Sequence, residues 1–186
     1  LEFEFAGQEF RWMAVASDDT TMLDLCKPGQ DAHAYMGSKI ASVDYQWLME
    51  NAGKDTNAKK DRNLGKFANL SFQYRIGAKS ATIKAKSNYG LKLDESFVQS
   101  ILTTYKTTYS NVPRYWDKQI YLCGRMGYAE TFAGRRVQLT GAKSWERDST
   151  AINYPIQGSG ADQKYLALAV ARNHLNTYGA HLYLEL

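Results

Sequence analysis

The chain has 186 residues, 44% of them hydrophobic and 23% charged, and a formal net charge of +4. It is long enough to bury the core of one or two domains, its composition excludes a disordered tail, and its mild positive charge suits a polyanionic partner without requiring one. No apolar run approaches membrane-spanning length and no basic-then-apolar leader opens the chain. The two cysteines lack metal-ligand company, which points to reduced thiols in a cytoplasmic setting.

Leu1-Glu-Phe-Glu-Phe alternates apolar and acidic residues, as a half-buried strand does. Gly7 breaks that pattern, Glu9 to Ala16 reads as a helix, and Asp18-Asp19 closes it. Asp31 is placed to cap a helix carrying His33, Tyr35 and Ile40. Asn51 to Asp61 is polar and expected to be exposed, and it leads into a helix over about 57–76. In that helix Arg62, Lys66, Leu70 and Tyr74 recur every four residues. Four residues overshoot one turn by about 40°, so the side chains form one slowly winding stripe about 18 Å long. That is the reach of an extended nucleoside triphosphate, with cations at one end for phosphates and apolar and aromatic surfaces beyond for sugar and base. Cations four apart are also an ordinary solvated helix face, so the stripe alone leaves both readings open.

Further along, Asp94 is placed to cap a helix whose Phe97, Ile101, Tyr105 and Tyr109 repeat every four residues. Pro113 suits the start of another, with Trp116, Ile120 and Cys123 on one face. Gly127 to Leu139 alternates around Gly134 and reads as a small hairpin or an extended turn. Pro155 introduces a helix with Ala161, Tyr165, Leu168 and Leu175 inward, ended by Gly179. Leu182, Leu184 and Leu186 then alternate with polar neighbours as a terminal strand without a hairpin partner, as in a piece of a larger protein. The expected fold class is α/β (α+β): a sheet platform interrupted by a mainly helical insertion.

Arg62, Lys66 and Tyr74 at this spacing resemble motif B of the family A DNA polymerases, where Arg, Lys, an aromatic residue and Tyr follow at intervals of four, with Gly next. Glu4-Phe-Ala-Gly-Gln-Glu9-Phe-Arg11 is similar to motif A, usually Asp-x-Ser-x-x-Glu-Leu-Arg. Ala151-Ile-Asn153-Tyr-Pro155-Ile-Gln157-Gly158 is similar to the Asn-x-Pro-x-Gln-Gly signature. Gly29-Gln-Asp31-Ala-His33 and Gly127-Tyr-Ala-Glu130-Thr131-Phe-Ala-Gly134-Arg135-Arg136 match two further stretches. The blocks stand in the family's order across nearly the whole chain.

The resemblance implies a palm sheet platform with a helical fingers insertion: palm over 1–23 and 143–186, fingers over 24–142. It implies transfer of dNTPs to the 3′ end of a primer–template DNA, with two Mg²⁺ ions in the complete enzyme. Glu4 stands at the metal-binding position of motif A, where the family has the shorter Asp, and the Phe5 backbone carbonyl would join it as a ligand. Motif C, with the second metal-binding carboxylate, would begin after Leu186. Glu9 corresponds to the Glu that excludes a 2′-hydroxyl, and His33 to a His that contacts the triphosphate. Arg62 and Lys66 would hold the outer phosphates, with Lys66 placed to protonate the departing pyrophosphate. Leu70 replaces the aromatic ring beside the sugar, as in some phage-like members, and Arg75 replaces the Gly after Tyr74. Tyr74 would stack at the templating position. Asn153 and Gln157 would donate to minor-groove acceptors shared by all base pairs; helix-start capping is the alternative use of Asn153. Arg11 is expected to orient neighbouring groups rather than touch substrate.

The reading is a palm–fingers fragment of a template-directed DNA polymerase, inactive when isolated, with no membrane partner and an oligomeric state the sequence does not reveal. The alternatives are a single-subunit RNA polymerase relative or a non-catalytic nucleic-acid-binding relative. Glu9 and the Asn153–Gln157 block favour the DNA enzyme over the first.

Overall fold

Four aspartates begin four of the helices. Asp19, Asp31, Asp44 and Asp55 each adopt an extended backbone conformation and accept a hydrogen bond from an N–H of the following first turn. A carboxylate there satisfies donors that have no helical partner and opposes the positive end of the helix dipole. The computed structural model describes residues 5–177. Its elements are α1 (Gln8–Ser17), α2 (Thr20–Leu25), α3 (Ala32–Ala41), α4 (Tyr45–Asn51), α5 (Thr56–Phe72), α6 (Ala78–Tyr89), α7 (Glu95–Thr108), α8 (Asn111–Met126), β1 (Tyr128–Glu130), β2 (Arg136–Gln138) and α9 (Ser144–Thr177).

One core joins most of these helices. Phe10 and Met13 of α1, Met36 of α3, Phe67 and Phe72 of α5, Ile101 and Tyr105 of α7, Trp116 of α8 and Ile152 and Ile156 of α9 are all buried in it. Edge-on and tilted aromatic contacts run through it, with Phe67 to Phe72 at 5.7 Å, Phe72 to Tyr105 at 5.8 Å and Tyr105 to Tyr109 at 5.2 Å between ring centroids. Such pairs add to the burial of their area. The α3–α5 crossing is tighter still, because glycines let the two backbones touch. A Cβ on Gly65 would fall inside the His33 carbonyl oxygen and the Gly37 amide nitrogen, and one on Gly37 inside the Asp61 carbonyl oxygen.

Strands β1 and β2 pair antiparallel, with Tyr128 opposite Gln138 and Glu130 opposite Arg136. The hairpin rests on α9 through small residues: a Cβ on Gly158 would stand 2.6 Å from the Thr131 methyl, and Phe132 N–H donates to Ser159 Oγ at 2.9 Å. Arg135 clamps it further, donating to Asp162 at 2.8 Å, the Gly158 carbonyl at 3.0 Å and the Tyr154 hydroxyl at 3.2 Å.

Several expectations are corrected. The long central helix runs over Thr56–Phe72 rather than about 57–76, so the second half of the polar stretch before Arg62 is helical, with Ala58 buried. Arg75 takes a left-handed conformation, φ 61°, and ends it. Pro155 does not introduce a helix but lies inside α9, which begins at Ser144. Lacking an N–H, it leaves the Ala151 carbonyl without its helical donor, while the adjacent Ile152 carbonyl accepts the Tyr115 hydroxyl at 2.9 Å. Tyr165 and Phe97 are exposed rather than inward, and Val98 takes the buried place beside Ile101. Helices α2, α4 and α6 had no counterpart in the sequence reading. The terminal strands, Gly179 and the side chain of Leu175 lie outside the described residues, as does Glu4.

Candidate functional site

The cationic end of the stripe is built on the α3–α5 crossing. Asp31 Oδ1 accepts from the His33 and Ala34 amides and so starts α3, while its Oδ2 accepts from Arg62 Nε at 2.7 Å. Tyr45 of α4 accepts the Asp31 N–H at 3.0 Å and donates to Gln30, which pins the same turn. Burial pushes the Asp31 carboxyl up, but the Ala34 amide and the Arg62 guanidinium outweigh it and hold it below the usual carboxylate range. Arg62 is thereby oriented through Nε, which turns its terminal nitrogens to other work. Lys66, one turn on, is exposed and has no ion pair among the described residues.

His33 sits behind these cations, and burial, together with Arg62 and Lys66, lowers its pKa to about 4. It is neutral at ordinary pH. Asn69, almost fully buried, gives one Nδ2 hydrogen to the Ala32 carbonyl at 2.9 Å and the other to His33 Nδ1 at 3.2 Å. With Nδ1 accepting, the ring proton lies on Nε2, a donor fit for an anion's oxygen. A linkage follows from the lowered pKa. The unfolded chain takes up this proton near pH 6.5, whereas the folded chain resists until about pH 4, so stability falls as pH drops through that interval. We expect the denaturant midpoint to decline between these values more steeply in the wild type than in His33→Gln. Parallel profiles would contradict this. Asp31, held below the usual carboxylate range, acts in the same direction at more acid pH.

The other end of the stripe is assembled from three separated segments. Glu9, in the first turn of α1, accepts from Tyr74 Oη and from Gln73 Nε2, both at 2.8 Å. Burial and the Glu9 carboxylate push the Tyr74 phenol far up, while the Gln157 side chain of α9 opposes the shift. Tyr74 is therefore a fixed, neutral phenol held between α1 and α9. Trp116 Nε1 donates to the Gln73 carbonyl at 2.9 Å and locks the turn that carries it. Leu70 is half-buried between the cations and this cluster.

Gln157 is thus brought to the site. Asn153 is half-buried within α9, not at a helix start, and its Nδ2 reaches Ser149 Oγ at 3.4 Å. Its Oδ1 is buried with no hydrogen-bond partner among the described residues. Helix-start capping is therefore excluded for Asn153. Arg11 donates to the carbonyls of Ala6 at 3.1 Å and Cys26 at 2.7 Å, the orienting role expected of it. Phe5 is exposed and outside any regular element. Among the described residues no group of three or more His, Cys, Asp or Glu gathers as a metal cage. These residues alone do not fit a divalent ion, and no helix among them is long and apolar enough to cross a membrane.

Sequence reasoning missed Gly37, Gly65, Asn69 and Gln73, and the partnership of Asp31 with Arg62. A signal existed for two of them: Gly65 and Asn69 stand four apart on α5, flanking the row of cations on the side that meets α3. Nothing local marks Gln73 as the partner of Glu9.

The model of DNA polymerase family A matches residues 1–186. DNA polymerase I of Aquifex aeolicus is 28% identical over 178 residues, 95% of this chain and 28% of that protein. DNA polymerase I of Deinococcus radiodurans is 26% identical, over 98% of this chain and 18% of its own length. DNA polymerase theta of Mus musculus is 25% identical over 96% of this chain. The chain therefore spans less than a third of each of these relatives. Among solved structures, the POL domain of Pol1 from M. smegmatis, in complex with DNA primer-template and dNTP, superposes with a TM-score of 0.75 over 95% of this chain and 30% of that one. Its identity of 21% speaks for the fold alone.

Proposed function

The chain belongs to DNA polymerase family A, and from that membership we propose that it is the palm–fingers portion of a template-directed DNA polymerase acting on primer–template DNA and dNTPs. The palm comprises 1–23 and 143–186 and the fingers 24–142. The observation that carries the reading is the convergence of Glu9, Tyr74 and Gln157 at one end of the Arg62–Lys66–Leu70 surface. Segments this far apart in sequence have no common structural need for one carboxylate–phenol–amide cluster.

Each residue has a place in nucleotide transfer. Arg62, held through Nε by Asp31, offers its remaining donors to triphosphate oxygens, and the neutral His33 adds a donor at Nε2. Lys66 carries the mobile charge and the proton for the departing pyrophosphate. Leu70 lies against the sugar. Glu9, anchored by Tyr74 and Gln73, stands where a 2′-hydroxyl would fall, and Tyr74 presents its ring to the templating position. Gln157 and Asn153 donate to minor-groove acceptors common to all base pairs. Divalent ions supply charge neutralisation at the reacting phosphate in this chemistry. The assignment of Mg²⁺ to Glu4 and the Phe5 carbonyl rests on the likeness to motif A, and the described residues add no ligand to it.

The reading is tested at Glu9. In the full-length protein, Glu9→Ala should raise kcat/KM for ribonucleotides relative to deoxynucleotides by roughly tenfold or more, because a space replaces the excluding side chain. An unchanged ratio would remove Glu9 from the nucleotide site.

A further inference from the structure

Helix α5 meets the core with an apolar face on which Phe67, Ala68 and Phe72 are fully buried, and one side-chain amide stands among them. Asn69 is 1% exposed, and its Oδ1 is buried with no hydrogen-bond partner among the described residues. An amide left in this state costs stability that a leucine there would not. Its two hydrogens account for its presence. Both go to the first turn of α3, one to the Ala32 carbonyl and one to the His33 ring.

The carbonyl sets the orientation of the whole amide. The Ala32 oxygen only accepts, so the Asn69 nitrogen, and not its oxygen, faces α3. The same nitrogen meets Nδ1 of His33 at 3.2 Å, and two hydrogens are kept from colliding only when Nδ1 is bare. A flipped amide would set Oδ1 against the carbonyl oxygen. The half-buried ring is thus gripped by its inner edge, and the Nε2 edge is left free on the other side. Burial, then Arg62 and Lys66 of α5, keep the ring neutral against the pull of Asp31 on its own helix. From the end of α7, Tyr109 brings a phenol beside Asn69 that burial keeps neutral as well.

We infer that Asn69 is a positioning residue for nucleotide binding, which from inside the core holds the His33 ring with its Nε2–H available to the triphosphate and keeps the proton off Nδ1. The inference rests on the proposed polymerase function, which supplies the triphosphate, and adds to it a residue that touches neither nucleotide nor DNA. A neutral imidazole without such a partner exchanges its proton between two nitrogens and turns about its side-chain bonds. With the proton on Nδ1, the ring would present a lone pair to the phosphate oxygens and repel them. The amide removes that state.

The test uses the full-length protein that carries this sequence. The Kd for dNTP is taken from the concentration dependence of single-turnover incorporation between about pH 6 and 8.5, and each variant is expressed as a ratio to the wild type at the same pH, so that titrations elsewhere cancel. Asn69→Asp keeps the shape of the side chain but, ionised, only accepts. It should draw the ring proton to Nδ1 and weaken dNTP binding roughly tenfold at pH 8, the loss of one charge-assisted hydrogen bond. That loss should shrink as pH falls, because a ring facing a carboxylate takes up a second proton more readily. Loosened packing alone gives a ratio independent of pH. Asn69→Leu keeps the test open where the buried carboxylate prevents folding. It should weaken dNTP binding in the otherwise wild-type protein and add nothing in combination with His33→Gln. Primer–template affinity should match the wild type throughout. A ratio for Asn69→Asp that does not change with pH, or an Asn69→Leu effect undiminished in His33→Gln, overturns the inference and leaves the polymerase reading standing. A wild type that incorporates no nucleotide overturns that reading, and the inference with it.

Discussion

Gly65→Ala should unfold this protein at markedly lower temperature than any surface change on the same helix. A methyl group there would enter the His33 carbonyl oxygen and the Gly37 amide nitrogen, both backbone atoms with no rotamer to adopt. Helices α3 and α5 would have to separate, opening the packing of Met36 and Phe67 along their crossing. A cost of about 3 kcal/mol is reasonable for overpacking against backbone, and at this chain length that lowers the midpoint by roughly 6–12 °C. Gly124→Ala provides the opposite sign. It lies in α8 with open space where its Cβ would go, so alanine should stabilise the helix by about 0.5–1 kcal/mol. Thermal unfolding of the two variants checks both expectations together. If Gly65→Ala melts with the wild type, the backbone contact between α3 and α5 is not what holds them.

Lys66→Ala should do the reverse, sparing the fold and removing the chemistry. The side chain is exposed on α5, one turn beyond Arg62, so its loss should change stability by no more than about 0.5 kcal/mol. In the full-length protein, single-turnover nucleotide incorporation should fall about 10²-fold or more, the usual consequence of removing one charged group that acts on the transition state. Primer–template affinity should stay close to that of the wild type, because the proposed site assigns Lys66 to the triphosphate and not to the duplex. Lys60→Ala, an exposed cation on another face of the same helix, controls for general charge loss and should be kinetically silent. Incorporation by Lys66→Ala at the wild-type rate would reduce the stripe to a solvated helix face and remove the main support for the proposed function.

The sequence by itself determined the family, the order of its blocks and most of the long helices, because these are local properties. The Asp31 cap, the four-residue recurrence of Arg62, Lys66 and Leu70, and the hairpin around Gly134 each depend on neighbours within a few residues. Helix ends were less legible. Phe72 ends α5 because Arg75 turns left-handed, and α9 continues through Pro155 although the ring takes the helical donor from the Ala151 carbonyl, with the Tyr115 hydroxyl of another helix bound to the next carbonyl, Ile152. Only the tertiary structure decided how the site is held together. Glu9 meets Tyr74 and Gln73 across more than sixty positions of chain, and Asp31 meets Arg62 across 31. Such partners are selected by which backbones can approach, and here the approach is set by Gly37 and Gly65, residues without a side chain to announce it. The neutral state of His33 belongs to the same class. Its ring is ordinary in sequence, and only burial beside Arg62 and Lys66 takes its proton away.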